Sequence, residues 1–73
     1  MDISKRFGAH VRKLRRAQEI SQEELAHRAG IHRTYLTELE GAKGRTPSLE
    51  IAYRLAKALG TTLTAVLNDI EEH

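Results

Sequence analysis

The sequence predicts an all-α fold, and three observations carry that prediction. Apolar residues recur at three- and four-residue intervals along nearly the whole chain, the spacing of one helix face. β-branched and aromatic residues are scattered and form no strand-like run, so strands have little support. Helix start and stop residues then divide the chain into five short segments. At roughly 100–200 residues per domain, these 73 residues are expected to form a single domain, 1–73.

The first segment, roughly residues 3–18, places Ile3, Phe7, Val11 and Leu14 on one stripe. Gly8 sits inside that helix at a cost of about 1 kcal/mol relative to Ala, which suggests close approach of a neighbouring element. The second segment opens at Ser21-Gln22-Glu23-Glu24, a capping box in which the Ser21 hydroxyl and the Glu24 carboxylate serve each other's free backbone N–H groups. Ile20 and Leu25 occupy the positions of a hydrophobic staple across it. This helix ends near Ala29, where Gly30 supplies a left-handed residue.

The third helix starts after His32 and ends near Glu40, ahead of a Gly41-Ala42-Lys43-Gly44 loop. The fourth opens near Thr46-Pro47-Ser48, with Pro47 in its first turn, turns Leu49, Ala52, Leu55, Ala56 and Leu59 inward, and stops at Gly60. Thr61-Thr62 cap the fifth, about 63–71, which carries Leu63, Val66, Leu67 and Ile70 on one face.

Hydrophobic residues at 40% and charged residues at 30% describe a globular chain and not a disordered one. No apolar run approaches the length of a membrane span or a signal-peptide core, so no membrane association is expected. The absence of Cys removes disulfides and thiolate metal sites, which fits a bacterial or phage cytoplasm. His27 and His32 are five apart and so fall on different helix faces, with no ligand set around them; no metal and no cofactor are expected. No nucleophile elbow or glycine-rich phosphate loop frames the Ser, His and Asp residues, so no catalytic residues and no enzyme activity are expected. The net charge is only +2, but Lys5, Arg6, Arg12, Lys13, Arg15 and Arg16 are uninterrupted by an acid. Removing the terminal acids Asp69, Glu71 and Glu72 from that total leaves +5 on the body of the chain. A basic body of this kind favours a polyanionic partner.

The third helix has a polar face that a core does not need. At about 100° per residue, Arg33, Thr37, Thr34 and Glu38 fall within one stripe, while Tyr35, Leu39 and Leu36 lie on the other side. Ala26, Gly30 and Leu36 supply, in turn, a small residue at the helix crossing, the turn and a core plug.

Ser21-Gln22-Glu23-Glu24-Leu25-Ala26, Gly30-Ile31, Tyr35-Leu36, Leu39-Glu40 and Pro47-Ser48 together resemble the helix-turn-helix of the lambda-repressor-like, Cro/XRE-type transcriptional regulators. The resemblance runs from Gly8 to about Leu67, with the helix-turn-helix at about 21–40. It implies a compact five-helix lambda-repressor-like domain whose third helix enters the DNA major groove, with a homodimer reading a near-palindromic operator. Carried over residue by residue, Arg33, Thr34, Thr37 and Glu38 look like base-reading positions. Gln22, Lys43 and Arg45 look like phosphate-binding ones, and Tyr35 divides between packing and a phosphate contact through its hydroxyl. Arg15 and Glu40 match a structural ion pair of the family.

One departure is that Gly41-Ala42 stands where many relatives have Gly or Asn-Gly, which leaves the loop geometry open. The Val66, Leu67 and Ile70 stripe of the last helix is first of all core, with part of it surplus, and this helix is the expected dimer interface. His32-Arg33-Thr34-Tyr35 and the short length resemble controller proteins of restriction–modification systems; a phage-type repressor fits as well. The expected partners are thus a double-stranded DNA operator and a second copy, with RNA polymerase or a toxin protein as further candidates. The expected location is cytoplasmic and nucleoid-associated. The alternative is an antitoxin-like module whose main role is binding a protein partner.

Overall fold

The computed structural model describes residues 2–71. It contains α1 (Ile3–Ala17), α2 (Gln22–Ala29), α3 (Arg33–Glu40), α4 (Leu49–Ala58) and α5 (Leu63–Glu71), with no strand among the described residues. Each helix begins on a side-chain cap that accepts from a free backbone N–H of the first turn. Asp2 accepts from Lys5 N at 3.1 Å, Ser21 from Glu24 N at 3.0 Å and Ser48 from Ile51 N at 3.1 Å. His32 Nδ1 accepts from Thr34 N at 3.2 Å and Thr62 from Ala65 N at 3.0 Å.

The capping box at α2 is formed by half. Ser21 caps as the sequence predicts, but the Glu24 carboxylate turns outward to Arg28, one helical turn on, at 2.8 Å. Pro47 lies before the cap of α4 and not in its first turn, because Ser48 is the cap and Leu49 the first helical residue.

The helix ends follow the glycines. Gly30 is left-handed (φ 69°), with Gly30 N donating to His27 O and Ile31 N to Ala26 O, the paired bonds of a Schellman stop. Gly60 (φ 77°) closes α4 in the same way, with Thr61 N donating to Ala56 O at 3.0 Å. Two side chains complete the helix ends from a distance: Gln18 Nε2 donates to Leu59 O and Arg6 Nη1 to Ile70 O, both at 2.7 Å.

The core is continuous through all five helices. Leu25, Leu36 and Leu55 are fully buried at its centre, surrounded by Phe7, Val11, Leu39, Leu59, Val66 and Ile70. The small residues Ala26, Ala29, Ala52 and Ala56 let α2 and α4 pack closely. Leu36 fills the centre as the spacing predicts.

Three apolar expectations need correction. Leu49 and Ile3 are 78% and 39% exposed instead of inward. Each is the first residue of its helix, where the side chain tilts toward the N-terminus and past the end of the core. Conversely, Val66 and Ile70 are 1% and 4% exposed, so two of the three expected interface residues belong to the core of the protomer. Docking α5 against α1 and α4 takes up both side chains and leaves only Leu67 at the surface.

Gly8 has the reason its position suggests. A Cβ at that site would collide with the Leu39 carbonyl, so α1 and α3 meet backbone to backbone there. Gly8→Ala should therefore destabilise the fold despite the better helix propensity of Ala. Overpacking costs about 1–3 kcal/mol, which in a domain of this size lowers the melting temperature by on the order of 10 °C. Thermal denaturation followed by circular dichroism checks this, and an unchanged or raised melting temperature would contradict the close contact.

Candidate nucleic-acid interface

The outer stripe of α3 is presented as its periodicity requires. Arg33, Thr34, Thr37 and Glu38 are all exposed, while Leu36, Leu39 and Glu40 of the same helix are buried. The burial of Glu40 organises what lies behind this stripe. Its carboxylate is 2% exposed and takes a two-pronged bond from Arg15: Nε to Oε2 and Nη2 to Oε1, both 2.9 Å. The third Arg15 contact, Nη1 to the Ile20 carbonyl at 2.9 Å, ties the pair to the turn before α2. Gln22 Nε2 donates to Glu40 Oε1 at 3.2 Å, and Gln22 Oε1 accepts from Thr37 Oγ1 at 3.1 Å. One chain of contacts thus runs from α1 through the end of α3 to the start of α2 and back to the outer stripe.

The Arg15 guanidinium is held above its ordinary pKa, chiefly by its side-chain hydrogen bonds to Glu40, with burial opposing and the Glu40 charge assisting. A basic group whose folded pKa is raised contributes stability that is fully present below its unfolded pKa and is lost only as pH rises through the folded one. For an arginine that window lies far above neutrality, so its charge does not make the pair pH-sensitive under ordinary conditions.

On the other side of the stripe, Arg45 Nη1 donates to Glu38 Oε1 at 2.6 Å. The Arg45 guanidinium also stacks 4.0 Å over the Tyr35 ring, a cation–π arrangement. Tyr35 itself is half-buried and packs on the core. Its ring serves both as a core lid and as the platform for Arg45, a role the sequence gives no sign of. Lys43 is exposed beside Gly44 in the loop after α3, and Gly44 is left-handed (φ 70°) with Lys5 packed against it. Arg33 approaches Glu23 at 4.0 Å, with both side chains mostly exposed, a pair of negligible strength.

The fold thus brings the four outer residues of α3 together with Gln22 on one side and Arg45 and Tyr35 on the other. The arrangement offers donors and acceptors suited to base edges, flanked by groups suited to phosphate. No group of three or more His, Cys, Asp or Glu among the described residues is placed to hold a metal ion. Among those residues no helix is long and apolar enough to cross a membrane.

Removing the Glu40 carboxylate leaves Arg15 charged and largely buried. Breaking one partner of a buried pair costs about 3–5 kcal/mol, so Glu40→Ala should lower the melting temperature by about 10–40 °C. Calorimetry measures this directly. A variant that melts like the parent but no longer binds DNA would place Glu40 in the DNA surface instead.

Comparison with known proteins agrees with this arrangement. Residues 11–66 match the helix-turn-helix family HTH_3. The chain is 35% identical over 72 residues to an HTH-type transcriptional regulator, y4dJ, of Sinorhizobium fredii, covering 99% of this chain and 92% of that protein. It is 40% identical over 67 residues to the control protein C.SmaI of Serratia marcescens, covering 92% of this chain and 79% of that one. Its fold is similar to the crystal structure of the restriction–modification controller protein C.AhdI from Aeromonas hydrophila. The TM-score is 0.78 at 35% identity, over 85% of this chain and 92% of the other.

Proposed function

The chain belongs to the helix-turn-helix family of DNA-binding transcriptional regulators, a non-enzymatic family, and we propose that it binds a near-palindromic operator as a homodimer, with α3 in the major groove. The observation that carries this reading is the exposed stripe Arg33, Thr34, Thr37 and Glu38 on a helix whose other face is locked into the core. Arg33 bonds a guanine at O6 and N7, the two threonines offer hydroxyls and a methyl contact to thymine, and Glu38 accepts from cytosine N4. Gln22, Lys43 and Arg45 hold backbone phosphates and fix the register. Tyr35 carries Arg45 toward the backbone on its ring.

In the free protein Arg45 rests on Glu38, so the two separate when Glu38 turns to a base and Arg45 to a phosphate. Base reading and backbone grip are thereby coupled. Glu38 also repels any phosphate brought to it in a wrong register.

The control and controller proteins it resembles favour a controller role in a restriction–modification system, cytoplasmic and bound at the nucleoid. Occupancy of the operator represses by occluding polymerase.

A single recognition helix reads too few base pairs to find one site among a genome's competitors. Two copies with recognition helices about 34 Å apart double the readout. The surface that supports a dimer is the apolar groove on which Ile3, Leu49, Leu63 and Leu67 converge, lined by none of the four outer residues of α3. Two such grooves facing each other across a two-fold axis bury these side chains, and a single charge there is present twice.

Arg33→Ala should cost roughly 1–3 kcal/mol and relax preference at one base pair of a duplex selected from a random pool. Lys43→Ala should weaken all sequences about equally. Selection repeated with Arg33→Ala and returning the parent motif would remove Arg33 from the base-reading set.

Leu67→Asp should give a folded monomer by analytical ultracentrifugation at micromolar concentration, with much weaker operator binding. Leu67 is 36% exposed, and a melting curve of the variant checks that the protomer stays folded. A variant that still sediments as a dimer puts the interface elsewhere.

A further inference from the structure

Arg12, Arg15 and Arg16 line an open cleft together with Gln22, Thr37 and Gly41-Ala42. The one acid in it, Glu40, is buried against Arg15. Arg12 and Arg16 are exposed, and neither side chain has an ion-pair or hydrogen-bond partner among the described residues. Cations at i and i+4 of one helix repel each other, and nothing in the cleft offsets that repulsion. The cleft is therefore a positively charged notch with two unmatched guanidinium groups, each a fork of donors that fits a phosphate.

What occupies it follows from what it shares. Thr37 belongs both to this cleft and to the outer stripe of α3, and Gln22 joins the two through its bond to Thr37. An anion in the notch lies beside whatever α3 reads. We infer that Arg12 and Arg16 hold a backbone phosphate of the bound duplex, so that α1 supplies a grip on the DNA separate from Gln22 and from the loop after α3. The inference rests on the DNA-binding reading above and adds two residues to it. Arg15 stays in its structural pair and takes no part. Lys13 borders the neighbouring cleft with Arg12 and Arg16 and extends the positive surface.

The test is the salt dependence of binding to a duplex selected with the parent protein. Arg12→Gln and Arg16→Gln, singly and together, are compared with Lys57→Gln, an exposed cation on α4 that lines neither cleft. Each lost phosphate contact reduces the steepness of log K against log[salt] by about 0.9. The double variant should thus be shallower by about 0.9 per protomer, with the preferred sequence unchanged. Lys57→Gln should leave the slope as it is.

A double variant with the parent slope would overturn the inference while leaving the DNA-binding reading intact. So would a Lys57→Gln effect equal to that of Arg16→Gln, which would mean long-range attraction and no contact. A parent protein with neither sequence preference nor a steep slope would overturn both. Melting curves of all variants confirm that folding is unchanged.

Discussion

The buried pair of Arg15 and Glu40 is the interaction on which the rest of this structure depends. It joins the end of α1 to the end of α3, and through Ile20 and Gln22 it fixes the turn and first residue of α2. Burying two charges is costly, and a well-packed apolar pair of similar size is often equally stable or more so. The directional bonds give something an apolar contact lacks. Two parallel N–H···O bonds set the orientation of Glu40, and Glu40 in turn orients Gln22, which orients Thr37. A core pair thereby sets the position of an outer side chain.

The interactions on the outer surface are of a different kind. Arg45 with Glu38, Arg28 with Glu24 and Arg54 with Glu50 are exposed pairs, and such pairs are worth about 0–1 kcal/mol. Such pairs exchange partners readily. A rigid frame of buried apolar residues and one buried pair thus carries a surface of weak, replaceable contacts. That combination suits a protein whose polar side chains need new partners on binding while its backbone stays in place.

Much of this was legible in the sequence where the determinants are local. Ser21 as a cap and Gly30 and Gly60 as stops act through bonds to residues a few positions away, so pattern alone locates them. Gly8 was legible as an anomaly, since a glycine in a helix interior calls for a close neighbour. The pairing of Arg15 with Glu40 came from family resemblance, because nothing in a 25-residue separation reports contact. Glu19 was not legible: it adopts φ 57° to end α1, a conformation that an acidic side chain does not announce. The exposure of Leu49, and which part of the Val66, Leu67 and Ile70 stripe stays at the surface, were not legible, because periodicity defines a face but not how far the neighbouring helices extend over it. The stack of Arg45 on Tyr35 joins a loop to a helix and exists only in three dimensions.

As proposed above, the outer stripe of α3 meets base edges in the major groove. Methylation interference on a selected duplex tests this most directly, because methylated guanine N7 projects into the major groove and methylated adenine N3 into the minor. N7 methylation of a guanine in each half-site should block the parent protein, and Arg33→Ala should lose this sensitivity at one position per half-site. Interference confined to adenine N3, or none at any guanine, would contradict it.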